Sequence, residues 1–262
     1  MSYFQALLLA IVEGITEFLP VSSTGHLIVA SSLMGIASDP FTKLFTVAIQ
    51  FGTILSVLII YWRKFLQSID FYVKLLIAFL PAVVFGLLLG DWIDLMLERV
   101  DVVGFALLLG GVVLLFVDRW FSASGQSTPT NRSALMIGLF QCLAILLPGL
   151  SRSAATIIGG LTQKLDRKAA AEFSFFLAVP TMAAATAYKL LKFFLDGGAP
   201  TQQQWILLLV GNVAGLIVAW IAIRSFIQFL SNHGFRIFGV YRIIVGTVIL
   251  LLYYGGYHLA VI

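Results

Sequence analysis

The chain has 262 residues, of which 60% are hydrophobic and only 11% carry a charge. Soluble domains carry about 25% charged residues. A soluble protein of this length could not bury so much apolar surface, which excludes a cytosolic enzyme and a disordered chain. The single cysteine excludes an intrachain disulfide, and the net charge of +4 is too small and dispersed to indicate nucleic-acid binding. The sequence therefore predicts an all-α polytopic membrane protein.

The first apolar region, residues 3–36, is interrupted in its middle. Pro20 and the polar cluster Ser22–His26 divide it into halves that are too short to cross a bilayer core of about 30 Å. Proline ends a helix, and serine or threonine commonly begins the next one. The region thus predicts a re-entrant helical hairpin, whose irregular backbone is tolerated only where it lines a cavity enclosed by protein.

The rest of the chain contains six uninterrupted apolar segments and a second broken region. The broken region, residues 134–163, is divided at Pro148-Gly149 and Ser151-Arg152-Ser153, and it follows a polar loop at 123–131. Each uninterrupted segment is long enough to span a membrane. The six predicted transmembrane helices lie near 43–62, 71–90, 102–118, 169–190, 204–224 and 237–256.

The two broken regions indicate an internal repeat within a single membrane domain, residues 1–262. Pro20 and Pro148 lie 128 residues apart, and the same offset places Glu13 on Gln141. Each half, 1–122 and 132–262, then holds one hairpin and three spans. Three is an odd number, so the second half must be inverted relative to the first, as in many transporters.

Basic residues predict the orientation of the chain. Arginines and lysines occupy the loops 63–74, 118–132, 164–168 and 224–236, which fall on one side of the predicted spans. The opposite loop, 91–101, carries Asp91, Asp94, Glu98 and Asp101. Positively charged loops stay in the cytoplasm. Both termini and the mouth of the first hairpin are therefore expected on the outer side.

The segment EGITEFLPVSSTGH, residues 13–26, concentrates reactive groups at membrane depth. Glu13 and Glu17 are four residues apart, so they share one helix face and would either share a proton or bind a cation. Ser22, Ser23 and Thr24 are candidate caps of a half-helix whose N-terminus would attract an anion. His26 in its first turn is a candidate acid, base or nucleophile.

The segment PGLSRSAAT, residues 148–156, repeats this arrangement. Ser151 or Ser153 can cap the next half-helix, and Thr156 follows about one turn later. Arg152 adds a planar cation that suits phosphate. Carboxylates, hydroxyls, an arginine and a histidine that meet at two helix N-termini form a set typical of metal-assisted phosphoryl transfer.

Several alternatives fit the same residues. Arg152 could instead neutralise Glu172, and Arg242 could extend to the membrane interface or contact phosphate. Broken helices and an inverted repeat are also hallmarks of transporters, so a flippase for a lipid phosphate or a carrier for a small anion is the second hypothesis. The pairing of Ser23 and His26 beside Glu17 exceeds what binding alone requires, which favours an enzyme.

Four motifs carry a resemblance to a known family: EGITEFLPVSSTGHL, LPGLSRSAATIIGGL, AAAEFSFFLAVPTM and YRIIVG at 241–246. On these motifs the chain resembles the undecaprenyl-pyrophosphate phosphatase family of bacterial inner membranes, also called the bacitracin-resistance family. The resemblance covers essentially the whole chain. It implies hydrolysis of undecaprenyl diphosphate to the monophosphate, which recycles the cell-wall lipid carrier, with a site open to the periplasm. It also implies a divalent cation, Mg²⁺ or Ca²⁺. Membrane lipids and a second copy of the chain are the other partners expected.

The resemblance also implies roles for individual residues. Glu13 and Glu17 would be the acidic pair that holds the metal or handles protons. Ser23 and His26 would be the candidate nucleophiles, with a metal-activated water as the third option, and Arg152 would clamp the diphosphate. The residues expected to line the phosphate site are Ser22, Thr24, Gly25, Ser151, Ser153 and Thr156.

Overall fold

A computed structural model describes residues 1–66, 68–97, 99–121, 125–257 and 259. Within these ranges the regular structure is α-helical, apart from one short 3₁₀ turn at Lys64–Leu66 and one isolated bridge between Gln126 and Leu165. The helices in chain order are α1 (Tyr3–Thr16), α2 (Ser23–Leu33), α3 (Pro40–Ile60), α4 (Ile69–Leu88), α5 (Gly90–Leu97), α6 (Val100–Trp120), α7 (Asn131–Leu146), α8 (Arg152–Thr162), α9 (Arg167–Leu195), α10 (Gln202–Asn232) and α11 (Arg236–Tyr254).

In the described ranges six helices are long and apolar enough to cross a membrane, which confirms the six predicted spans. They are α3, α4, α6, α9, α10 and α11. Helices α9 and α10, with 29 and 31 residues, are longer than predicted because charged residues do not end them. The Arg224 guanidinium lies 4.2 Å from the centre of the Trp220 ring, and α10 continues past both.

Local sequence accounts for where the helices begin. The side chains of Asp39, Asp166 and Thr201 accept hydrogen bonds from first-turn N–H groups of α3, α9 and α10. These bonds satisfy backbone donors that have no partner inside the helix. Pro40 occupies the first position of α3, where its missing N–H costs nothing.

Both predicted breaks are present. Helix α1 ends at Thr16 and α2 begins at Ser23, while α7 ends at Leu146 and α8 begins at Arg152. Ser22 and Ser151, the residues directly before α2 and α8, have φ angles of 70° and 74°. Non-glycine residues seldom occupy this left-handed region, and such strain is often found at functional sites.

The first helix of each broken region packs against a long helix from the other half of the chain. Helix α1 lies against α10, and α7 lies against α4. Gly138 allows the second approach, because a Cβ atom there would lie 2.9 Å from Ala78 Cα. Helices α6 and α11 form the most extensive pairing, and α2 contacts both. The first break is therefore held against the α6–α11 pair.

Helix α5 occupies most of the loop that was expected to be acidic and outside. Glu98 and the side chains of Asp91 and Asp94 lie outside the described residues. Asp101 lies in the first turn of α6 and forms an ion pair with Arg99.

Candidate active site

The two breaks meet. Arg152 in the first turn of α8 donates from Nη2 to Glu17 Oε1 at 2.9 Å, and Ser153 Oγ donates to the Leu19 carbonyl at 2.7 Å. These residues are 134 or 135 positions apart in the chain. The structure therefore brings residues of the two motifs into direct contact.

A short side-chain hydrogen bond joins Ser23 to Glu17. Ser23 Oγ donates to Glu17 Oε2 at 2.6 Å, while the other oxygen of the same carboxylate binds Arg152. Glu17 is only 9% exposed. A serine hydroxyl needs an adjacent base to become a nucleophile, and Glu17 occupies that position. Of the two bases considered from the sequence, His26 and Glu17, the structure places Glu17 on the hydroxyl.

Both terminal nitrogens of Arg152 donate hydrogen bonds, whereas its third nitrogen, Nε, makes none. Nη1 donates to the Ser174 carbonyl at 2.9 Å, and the guanidinium lies 5.8 Å from the centre of the Phe18 ring. Nε is buried and has no hydrogen-bond partner in the described part of the chain. Arg152 therefore pairs with Glu17 rather than with Glu172, whose nearest cation is Lys168 at 4.0 Å.

His26 is oriented by two hydrogen bonds, neither of which involves Ser23. Nδ1 lies 2.8 Å from the Ser22 carbonyl, and Nε2 lies 2.7 Å from the Tyr241 hydroxyl. A carbonyl can only accept, so Nδ1 carries the proton and Nε2 of the neutral ring accepts from Tyr241.

The two half-helix N-termini differ. The Ser22 side chain makes no capping bond, which leaves the first-turn N–H groups of α2 available to an anion. Ser151 Oγ instead accepts from Ala154 N–H at 3.3 Å, so α8 is capped by its own chain. The prediction that Ser151 can cap the second half-helix is confirmed, whereas the Ser22 hydroxyl does not turn back onto its helix. The open N-terminus is that of α2.

The remaining hydroxyl groups form hydrogen bonds within the protein around the site. Ser151 Oγ lies 3.0 Å from Ser153 Oγ, and Thr156 Oγ1 lies 2.6 Å from Ser174 Oγ. Thr24 is half-buried. Gly25 is buried where a Cβ atom would lie 2.8 Å from Leu107 Cδ1, so α2 approaches α6 closely at this position.

Glu13 is the member of the acidic pair that is free to bind a ligand. It is fully buried, and neither carboxylate oxygen has a hydrogen-bond partner among the described residues. No cluster of three acidic, histidine or cysteine residues that could hold a metal occurs in those residues. One free carboxylate does fit a hard cation that takes its other ligands from phosphate and water.

The structure differs from both roles considered for Arg242 from the sequence, extension to the membrane interface and contact with phosphate. It is fully buried, so it does not extend to the membrane interface. Its donors bind backbone carbonyls rather than facing the site, at distances of 2.8–3.4 Å. Carbonyl acceptors have no sequence signature, so hydropathy alone could not identify this role.

Three contributors were missed from the sequence: Tyr241, which binds His26, and Ser174 and Met182, which contact Arg152. The signal for Tyr241 was its place beside Arg242 in the YRIIVG segment. Ser174 and Met182 lie in AAAEFSFFLAVPTM, which directly follows the second break region.

The fold and the site together define a polytopic helical membrane protein with a cluster in which a serine, a carboxylate and an arginine are joined by hydrogen bonds. A family model described as bacitracin resistance protein BacA matches residues 6–248. The chain belongs to this family. A relative from Flavobacterium psychrophilum is 55% identical over 97% of both chains. Relatives from Porphyromonas gingivalis, 52% identical over the full length of both chains, and Aquifex aeolicus, 43% identical over 95% of this chain and 97% of the relative, are similar too. All three relatives are named undecaprenyl-diphosphatase.

Proposed function

We propose that the chain is an integral membrane phosphatase that hydrolyses undecaprenyl diphosphate to undecaprenyl phosphate and inorganic phosphate. This activity would recycle the cell-wall lipid carrier and give resistance to bacitracin. The observation that carries the proposal is the Ser23 hydroxyl 2.6 Å from Glu17, with Arg152 on the other oxygen of the same carboxylate. The name shared by full-length relatives supports the substrate.

The proposed reaction begins with proton transfer from Ser23 Oγ to Glu17. Oγ then forms a bond to the terminal phosphorus, and the bond from that phosphorus to the bridging oxygen breaks. The lipid monophosphate leaves with the electron pair and takes the proton that Glu17 had accepted. Water next attacks the phosphoserine and gives a proton to Glu17, which passes it to Ser23 Oγ as the bond between Oγ and phosphorus breaks and inorganic phosphate is released. Arg152 Nε and the open N-terminus of α2 would stabilise the phosphoryl oxygens.

The cation proposed from the sequence, Mg²⁺ or Ca²⁺, would bind between Glu13 and the diphosphate. Glu17 is a weaker ligand candidate than Glu13, because its two oxygens already bind Ser23 and Arg152. Such a cation would neutralise charge that develops on the phosphates. It would also separate the Glu13 carboxylate from the incoming anion, which that carboxylate would otherwise repel.

We further propose that each broken region is a re-entrant hairpin and that the two halves form an inverted repeat. The matching φ angles of Ser22 and Ser151, and the exchange of α1 and α7 between halves, support this arrangement. The loop charges support a bacterial inner-membrane orientation with the site open to the outer side. A homodimer is compatible with the lipid-facing helices, although every site residue described comes from one chain.

Phosphate release from undecaprenyl diphosphate by the purified protein in detergent tests this function. Release is expected without any gradient, and a chelator is expected to lower it by about tenfold or more because the anion then meets Glu13 directly. A flippase or carrier needs two compartments. Well-folded protein that binds the lipid without releasing phosphate would assign the chain to that class instead.

Tyr241→Phe is expected to lower kcat by about three- to tenfold, because the His26 ring loses the hydrogen bond that fixes Nε2. The KM is expected to change little, since the phosphate donors stay in place. Tyr253→Phe in the same helix is the matched control. Equal kcat values for both variants and the unaltered protein would show that the Tyr241 contact has no role in turnover.

A further inference from the structure

Arg242 joins three separate parts of the chain through its guanidinium group. Nη1 donates to the carbonyls of Pro20 and Leu150, at 3.3 and 2.8 Å. Nη2 donates to the carbonyls of Gly149 and Ala106, at 3.0 and 3.2 Å, and Nε donates to the Leu107 carbonyl at 3.4 Å. One side chain on α11 therefore binds both breaks and the middle of α6.

The acceptors at the breaks are backbone groups that the helices leave without partners. Pro20, Gly149 and Leu150 lie in the two turns, where no helical hydrogen bonds can satisfy their carbonyls. At membrane depth no bulk water replaces them, and each unsatisfied group costs free energy. These carbonyl groups point their oxygens to Arg242. The negative ends of their dipoles are therefore turned away from an anion at the Ser23 side of the break.

The positive charge of Arg242 lacks a partner of opposite sign. No ion pair involves Arg242 in the part of the chain that the structure describes, and all five contacts go to neutral carbonyls. A wholly buried cation is costly unless an anion balances it. The nearest anion that the proposed chemistry supplies is the substrate's diphosphate.

Helix α6 is shaped to accept this guanidinium. Gly110 faces it so closely that a Cβ atom would overlap Nη2 and lie 2.8 Å from Cζ. A side chain at Gly110 would therefore displace the guanidinium without changing Arg242 itself. This glycine offers an independent way to disturb the contacts of Arg242.

We infer that Arg242 is a positioning residue of the reaction. It holds the two breaks in register, so that Ser23 and Arg152 meet at one phosphate, and it supplies a second positive charge that balances the bound diphosphate without touching it. This inference rests on the proposed function. It assigns to Arg242 a part in turnover, as well as the part in folding that five hydrogen bonds imply.

The test compares Arg242→Lys, Arg242→Gln and Gly110→Ala in the full-length protein in detergent. The matched control is Gly86→Ala in α4, where a Cβ atom would meet nothing within 4 Å. The kcat and KM are measured with farnesyl diphosphate, a prenyl diphosphate with a shorter tail, and are corrected for the folded fraction. Thermal unfolding with and without inorganic pyrophosphate provides a readout that does not need turnover.

Lysine keeps the charge but cannot reach five carbonyls, so Arg242→Lys is expected to lower kcat by about tenfold or more with nearly unchanged KM. Glutamine also removes the charge, so Arg242→Gln is expected to lower kcat and raise KM by about tenfold. Gly110→Ala should resemble Arg242→Lys, and Gly86→Ala should match the unaltered protein. If the Arg242 variants do not fold, Gly110→Ala carries the test.

A kcat within about twofold of the unaltered protein in folded Gly110→Ala or Arg242→Lys would overturn the inference. A loss fully explained by a smaller folded fraction would overturn it too, because that outcome describes a purely structural residue. If the unaltered protein releases no phosphate, the proposed function fails by itself. In that case thermal unfolding with pyrophosphate decides. If pyrophosphate stabilises the unaltered protein but not Arg242→Gln, the positioning role is supported. If it stabilises neither protein, or stabilises both equally, the positioning role is contradicted.

Discussion

Ser23→Ala is expected to lower kcat for prenyl diphosphate hydrolysis by about 10³-fold or more, because no other hydroxyl contacts Glu17 in the described site. The KM should change little, since the proposed phosphate donors, Arg152 Nε and the backbone of α2, are unaltered. Phosphate release from the purified variant, measured against folded protein, provides the check.

Ser31→Ala is the matched control for this variant. Ser31 lies in the same helix, and its hydroxyl donates to the Ile28 carbonyl, away from the site. Its kcat should equal that of the unaltered protein. If Ser23→Ala instead keeps more than about a few per cent of the activity, the nucleophile is His26 or water, and Ser23 only stabilises the phosphoryl oxygens.

Arg152→Lys is expected to have the second largest effect, a fall in kcat/KM of about 10²- to 10³-fold. Lysine has one nitrogen, whereas Arg152 binds Glu17 and Ser174 at the same time and keeps Nε free. Without the bond to Arg152, the Glu17 carboxylate can also turn away from the Ser23 hydroxyl. Both kcat and KM should therefore change.

Arg224→Lys provides the control for an arginine outside the site, because its guanidinium lies over the Trp220 ring and contacts none of the candidate residues. Its kinetics with farnesyl diphosphate should match those of the unaltered protein. An Arg152→Lys variant that keeps its kcat and shows only a raised KM would mean that Arg152 binds substrate without orienting Glu17.

The spans and the breaks could be predicted because their signals are local. Hydropathy over about 20 residues identifies a span, and Pro20 or Pro148 followed by serines identifies an interruption. The meeting of the two motifs was also predictable, since charges at membrane depth must face one another or a cavity. Glu17 and Arg152 form such a pair.

The contacts that organise the site could not be predicted, because their partners are distant or have no side-chain identity. His26 and Tyr241 are 215 residues apart, and nothing in either segment indicates the other. Arg242 binds only carbonyls, which every residue possesses. The difference between the two N-termini depends on how the hydroxyls of Ser22 and Ser151 are oriented, although both residues share a positive φ.

The carbonyl contacts of Arg242 also bear on how the protein is made. Helix α11 follows the segments that carry its acceptors: its arginine binds the carbonyls of Pro20, Gly149 and Leu150. As long as α11 lies in the bilayer without these acceptors, the Arg242 cation is exposed to lipid at a cost of about 3 kcal/mol. Insertion of this helix is thus more favourable once the segments that carry these carbonyls have arrived. During synthesis the site is complete only when α11 has been added, and a chain truncated before α11 lacks the contacts of Arg242 with both breaks.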